Sequence, residues 1–171
     1  LLYTLHNTST KPLTVNVMGN VTNIVGPTEG RVNRTKTGGG LRGLVLSNEA
    51  LAEDAPGYGT IALSTPADGA WVWPQWHDDR ILKFWEAVAW DGKLPPRAKG
   101  SGASGTVGVG LTIPAGGEVT VPFIISWCFP NFEHWRKCEG CDAGATWRNW
   151  YATQWKDCLL YTSDAADAPL C

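Results

Sequence analysis

Apolar residues recur at every second position through several stretches of the chain, the period of strands that bury one face. Val107, Val109, Leu111 and Ile113 alternate with Gly or Thr, and Pro114-Ala115-Gly116-Gly117 reads as a turn. Val119, Val121, Phe123, Ile125 and Trp127 then resume the alternation. The two runs predict a β-hairpin, with Pro122 placing an edge or a bulge in its second strand because proline cannot donate to a ladder. Val15 with Val17 after Pro12, Leu44 with Leu46 after Gly38-Gly39-Gly40, and Tyr58 to Thr65 between Pro56-Gly57 and Pro66 predict further strands.

Two segments follow helical spacing instead. Asp78 or Asp79 can cap a helix in which Ile81, Leu82, Trp85, Val88 and Ala89 share a face, stopped by Asp91-Gly92. Trp147, Trp150, Tyr151 and Trp155 fall on one aromatic face of a second short helix, with Arg148, Asn149 and Lys156 pointing elsewhere. Residues 27–40, 92–105 and 128–145 read as loops. Five or more strands with short helices confined to loops predict an all-β fold, an antiparallel β-sandwich.

Composition narrows the class. A chain of 171 residues with 43% hydrophobic content is one domain with a real core, and 20 Gly with 11 Pro mark turns rather than a helical bundle. The formal charge of −2 with no Lys/Arg cluster argues against a nucleic-acid partner. No apolar run reaches the roughly 20 residues of a membrane span. The ten Trp stand out, because indoles serve burial, interfaces or flat ligands.

Neither end reads as native. Leu1 opens within an apolar stretch, the only Met is Met18, and no signal peptide is visible. Cys158 to Asp167 (CLLYTSDAAD) is similar to the conceptual translation of a transposase sequencing adapter. Residues 158–171 are therefore expected to be a foreign tail, and residues 1–157 part of a longer gene product. Without Asp164 and Asp167 the formal charge is zero, and Cys128, Cys138 and Cys141 are the remaining cysteines.

Chemistry-bearing motifs are sparse. Gly100-Ser101-Gly102-Ala103-Ser104-Gly105 satisfies the G-x-G-x-x-G pattern, but Pro95-Pro96 precedes it and a strand follows, where a dinucleotide site needs a helix. Cys128, His134, Cys138 and Cys141 have zinc-ligand spacing, and tetrahedral zinc, a local disulfide and plain thiols all stay open. Trp71, Trp73 and Trp76 beside His77-Asp78-Asp79 offer flat rings for a sugar face, or strand residues packed into a core or domain interface. Glu133, Glu139 and Asp142 are loop carboxylates, and spacing does not pair any two across a glycosidic bond. Asn7, Asn20 and Asn33 each begin a glycosylation triplet. No catalytic constellation, metal site or cofactor motif is assigned.

One ordered series of blocks has a family resemblance. It runs Tyr58-Gly59-Thr60-Ile61-Ala62-Leu63, Phe84-Trp85-Glu86, Asp91-Gly92-Lys93-Leu94, Ile113-Pro114-Ala115-Gly116, Val121 to Asn131 (VPFIISWCFPN), and Trp150-Tyr151-Ala152-Thr153-Gln154-Trp155. This series resembles the N-terminal domain of glycoside hydrolase family 116, the family of non-lysosomal glucosylceramidase (bile acid β-glucosidase), across nearly all of residues 1–157. The resemblance implies a β-sandwich followed by an (α/α)₆ barrel that carries the nucleophile and the acid/base of a retaining β-glycosidase. Substrates so implied are β-glucosides, glucosylceramide among them. Cys128 and the Cys138-Cys141 stretch depart from the family pattern.

The expected function is thus a non-catalytic N-terminal domain of such a hydrolase, partnered by a catalytic domain absent from this chain. Trp71, Trp73, Trp76, Trp147, Trp150, Tyr151 and Trp155 are the candidate carbohydrate or domain-interface contacts. The rival from another class is a free-standing carbohydrate-binding module using Trp71, Trp73 and Trp76; a purely structural sandwich is the third reading. The sequence assigns no compartment.

Overall fold

A computed structural model describes residues 1–76, 81–91, 99–100, 104–133 and 146–155. Twelve strands and two helices follow in order: β1 (Leu2–His6), β2 (Leu13–Thr22), β3 (Arg31–Gly38), β4 (Leu41–Asn48), β5 (Thr60–Thr65), β6 (Ala70–Trp76), α1 (Ile81–Asp91), β7 (Lys99–Gly100), β8 (Ser104–Ile113), β9 (Glu118–Pro122), β10 (Ile124–Cys128), β11 (Asn131–Glu133), β12 (Thr146–Arg148) and α2 (Tyr151–Gln154). The fold is an all-β antiparallel sandwich. A five-stranded sheet, β10-β5-β4-β3-β7, faces a three-stranded sheet, β2-β8-β6. Leu44, Leu46, Ile61 and Leu63 from the first meet Ala70, Val72, Val107 and Val109 from the second in one core. No helix among the described residues is long and apolar enough to cross a membrane.

The expected hairpin between 107–113 and 119–127 does not form. The turn is present, with Gly117 N–H donating to Pro114 O at 3.0 Å and Gly116 at φ 65°. However, β8 pairs with β2 along ten residues and with β6 from Ser104 to Val109. Beyond the turn β9 pairs with β1 and does not fold back on β8. Its run also breaks at Phe123, where the chain crosses to the other sheet and β10 joins β5. Pro122 marks that corner, its carbonyl accepting from Thr65 Oγ1 at 2.6 Å.

A second correction concerns residues 27–40, expected to be loop. Residues 31–38 are strand β3, paired with β4 over its whole length and joined to it by Gly39 and Gly40, both at positive φ. Two residues with φ > 0 between paired strands are what a tight hairpin requires. Strand β3 escapes the apolar pattern because its most enclosed residue is polar: Asn33 is fully buried.

Asparagine carboxamides replace a ladder wherever irregular backbone is enclosed, since a buried unpaired peptide group is costly. Asn33 Nδ2 donates to Pro74 O at 2.8 Å, bridging the two sheets from β3 to β6. Its Oδ1 accepts from Asn23 Nδ2 at 2.9 Å, and Asn23 also donates to Ser47 O. Asn48 Nδ2 reaches Val25 O, Pro27 O and Glu29 O, holding the loop between β2 and β3 closed. Asn7 does the same for Lys11 O, Ile113 O and Pro114 O. Of the three glycosylation triplets, only that of Asn20 has an exposed asparagine, because Asn7 and Asn33 are consumed in this way.

The outer face of the three-stranded sheet carries α1. Trp71 lies opposite Gly108, where a Cβ would strike its indole, and Trp73 stacks on Phe84 at 5.9 Å and 16°. Trp71, Phe84 and Val88 form a small second core with Met18 and Trp73 at its margin. The helix thus exists where its spacing predicts, but of the expected face only Val88 is inward. It is joined there by Phe84, while Ile81, Leu82, Trp85 and Ala89 are exposed. Its expected cap at Asp78 or Asp79 lies outside the described residues, as do the middle of the G-x-G-x-x-G run and most of residues 128–145. The outer glycines of that run sit in strands: a Cβ at Gly100 would meet Gln75, and one at Gly105 would meet Leu44.

On the surface, Glu49 pairs with Arg34 and with Lys99 Nζ at 3.3 Å, which ties β7 to the end of β4. The Arg34 hydrogen bond, then that of Lys99, holds the Glu49 carboxyl below the usual carboxylate range. A folded-state pKa below the unfolded one gives stability that is present above the unfolded value and lost as pH falls through the folded one. NMR titration should place the Glu49 midpoint below the ordinary carboxylate value, and Arg34→Met should raise it. A larger test falls on the sheet bridge. Asn33→Ala should cost about 2–4 kcal/mol in urea unfolding, because it strands a buried carbonyl and a buried amide donor. Lys36→Ala, at an exposed residue outside this network, should cost under about 0.5 kcal/mol; equal losses would contradict the bridge.

Candidate functional site

The chain after Phe123 builds an aromatic surface at the β10 edge of the five-stranded sheet. Among the described residues β10 pairs on one side, with β5. Register places Ile125 opposite Leu63 and Trp127 opposite Ile61, on the core-facing side. Yet Trp127 is 63% exposed and Ile125 46%, so the second sheet does not reach over this edge. The opposite face of β10 is covered: Cys128 is buried against Ala62, with Val45 and Tyr151 packed alongside.

Beyond β10 the chain turns at Phe129-Pro130-Asn131, and this corner is fixed from two directions. The Tyr151 hydroxyl donates to Phe129 O at 2.6 Å and accepts from Phe129 N–H at 3.1 Å. Asn149 donates from Nδ2 to Phe129 O at 2.8 Å and from its backbone to Pro130 O at 2.7 Å. On the other side Gly59 faces the Phe129 ring and Cys128 O so closely that no Cβ fits. Three blocks of the family-like series, around Gly59, Phe129 and Tyr151, therefore meet at one corner.

These bonds also explain why the expected aromatic helix is short. Strand β12 pairs with β11, setting Trp147 opposite Phe132 with ring centroids 6.1 Å apart. Asn149 then pins the chain before any helix begins, and α2 spans only Tyr151–Gln154. Trp150 caps it at 74% exposure and Trp155 follows it in extended conformation. The four aromatics do not share one helix face. Trp147 belongs to a ribbon, Trp150 projects outward, Tyr151 locks the corner, and Trp155 lines a groove.

That groove, of about 290 Å³, runs along β10 between Ile125, Ser126, Trp127 and Cys128 on one side and Tyr151 and Trp155 on the other. It is chiefly apolar and offers packing rather than proton transfer. The other candidate aromatics lie elsewhere, on β6: Trp71 is buried under α1, its Nε1 donating to Asn16 Oδ1 at 3.4 Å, and Trp73 is half-buried against Phe84. Trp76 contributes its backbone opposite Ser104. Of the zinc-spaced set only Cys128 falls among the described residues, and no group of three metal-competent side chains occurs among them. Sequence spacing missed Ile125 and Trp127 as surface residues, since alternation alone places them in the core; their position on an edge strand was the missing fact.

A family model described as beta-glucosidase 2, glycosyl-hydrolase family 116 N-term, matches residues 1–166. The matched span includes residues 158–166, part of the tail expected to be foreign. No curated protein matches the chain.

The corner lends itself to a direct measurement. Tyr151→Phe should lower stability by about 1–2 kcal/mol and speed exchange of the Phe129 amide. Trp150→Ala should stay within about 0.5 kcal/mol, as a side chain on the surface of this chain. The reverse ranking, read by thermal unfolding, would show that Trp150 and not Tyr151 holds the segment.

Proposed function

The chain belongs to the family of N-terminal domains of glycosyl-hydrolase family 116, and from that premise we propose that it is the supporting sandwich of a retaining β-glucosidase of the glucosylceramidase type. In this reading residues 1–157 pack against an (α/α)₆ barrel that carries the catalytic carboxylates, and residues 158–171 are foreign to the domain.

The supporting observation is the amount of aromatic surface that the sandwich leaves uncovered in two places. One is the edge comprising Trp127, Phe132, Trp147 and Trp150; the other is the α1 stripe of Ile81, Leu82 and Trp85. Apolar clusters of this kind on a folded domain mark interaction surfaces. Trp71 and Trp73 serve that purpose indirectly, by seating α1 on the sheet so that its stripe faces outward. Tyr151 serves it by fixing the corner that displays Trp147 and Trp150. A helical barrel suits such a surface, because ridges of helices accept bulky side chains from an edge or from another helix.

The reading as a free-standing module that binds sugar through Trp71, Trp73 and Trp76 is disfavoured by the burial of Trp71 beneath Phe84 and Val88.

Expression of this chain beside the protein encoded by the uninterrupted source reading frame tests the proposal. The 171-residue chain should leave an aryl β-glucoside intact, and the longer protein should cleave it. Trp85→Asp and Trp150→Asp in the longer protein should lower its activity or midpoint of unfolding while leaving this chain folded. Hydrolysis by the chain alone, or a reading frame that stops just after codon 167, would contradict the assignment.

A further inference from the structure

The bond that joins the two sheets lies under a short strand at the flank of the sandwich. There β6 departs from the ladder of β8, its register breaking between Trp73 and Trp76. Pro74 sits in that bulge, fully buried, and its carbonyl accepts from Asn33 Nδ2 at 2.8 Å. Strand β7 crosses the same place. Gly100 stands opposite Asn33 in the β3 ladder, and a Cβ on it would strike Gln75, the residue after Pro74. Gly100 is itself buried, so it is set against the strands at both ends of the bridge.

What holds this cover in place is partly on the surface. Strand β7 is two residues long, and its described pairing is with Asn33 and Arg34 of β3. So short a ladder does little against the roughly 1–2 kcal/mol of backbone entropy that each ordered residue costs. The remaining hold is ionic. Glu49, just past the end of β4, accepts from Arg34 on one oxygen and from Lys99 Nζ on the other, the latter at 3.3 Å. Arg34 and Lys99 are register partners, and like charges directly opposite on a ladder repel. The Glu49 carboxylate therefore draws β7 toward β4 and offsets a repulsion between β7 and β3.

We propose that β7 is a latched cover over the Asn33–Pro74 bridge and that Glu49 is its latch: when that charge is removed or screened, β7 lifts and water reaches the Asn33 carboxamide. The device goes beyond the supporting role, because it couples a surface charge to the bond between the sheets within this chain alone. It makes a fully buried hydrogen bond answer to salt.

Solvent exchange of the Asn33 side-chain amide, followed by NMR on the 171-residue chain, tests the latch. The buried carboxamide of Asn7, bonded to Lys11 O and Ile113 O away from β7, is the reference. Exposed ion pairs shift an opening equilibrium by up to about fivefold, so Glu49→Gln, at an exposed residue, should speed Asn33 exchange by about that factor and leave Asn7 unchanged. Salt at about 1 M, where the screening length is about 3 Å, should speed Asn33 exchange in the parent chain and not speed it further in Glu49→Gln. Gly100→Ala drives β7 off Gln75 by contact alone, and Glu49→Gln should then add nothing. Should Gly100→Ala fail to fold, Lys99→Met at an exposed residue serves instead: Glu49→Gln should add little to it. Unchanged Asn33 exchange in Glu49→Gln, equal acceleration at Asn7, or an undiminished Glu49→Gln effect alongside Lys99→Met would each overturn the proposal. None of these measurements involves a catalytic domain, so their failure leaves the supporting role standing.

Discussion

Enclosed peptide groups that have no strand beside them are the constraint on which this sandwich depends. Its two sheets are joined by loops that run into the interior, and a buried carbonyl or amide without a partner costs about as much as a whole hydrogen bond or more. Asn7, Asn23, Asn33 and Asn48 meet that demand, each giving its carboxamide to peptide carbonyls that no ladder supplies. The Asn33 bond to Pro74 O matters most, because it fixes β6 of one sheet against β3 of the other. Strand β6 carries Trp71 and Trp73, and through them the seat of α1. The same device recurs at the far end of the chain, where Asn131 and Asn149 hold the corner around Phe129.

Much of the sheet framework is legible in the sequence. Alternation locates β2, β4, β5 and β8, because each has one face in the common core and a partner that only needs to be somewhere nearby. Pairing is not legible, because a strand's partner is set by the whole arrangement and not by the nearest turn. The turn at Pro114 to Gly117 reads like a hairpin, but β8 takes β2 and β6 as partners, and β9 finds β1 more than a hundred residues earlier. Strand β3 goes unseen for a different reason. Its buried centre is an asparagine, and a hydrophobicity pattern scores that residue as loop.

The aromatic residues divide in the same way. Their identity as packing or surface groups follows from tertiary position and not from spacing. Helical spacing joins Trp147, Trp150, Tyr151 and Trp155 on one face, yet Asn149 bonds to Pro130 O and Phe129 O and leaves them in a ribbon, a cap, a lock and a wall. In α1 the stripe chosen by spacing points outward except at Val88, since Trp71 and Trp73 accept Val88 together with Phe84, which the stripe left out. What the family resemblance added was order: blocks around Gly59, Phe129 and Tyr151, each weak alone, converge on one corner.

A domain of glycosyl-hydrolase family 116 that leaves an edge strand and a helix stripe bare is built, in this account, to be covered by the remainder of its enzyme. Amide hydrogen exchange, compared between this chain and the protein from the full reading frame, addresses that most directly. The account predicts slower exchange across Ile124–Cys128 and Ile81–Asp91 in the longer protein, with the amides of β2 and β8 unchanged. Equal exchange at all of these positions would mean that neither surface meets a catalytic domain.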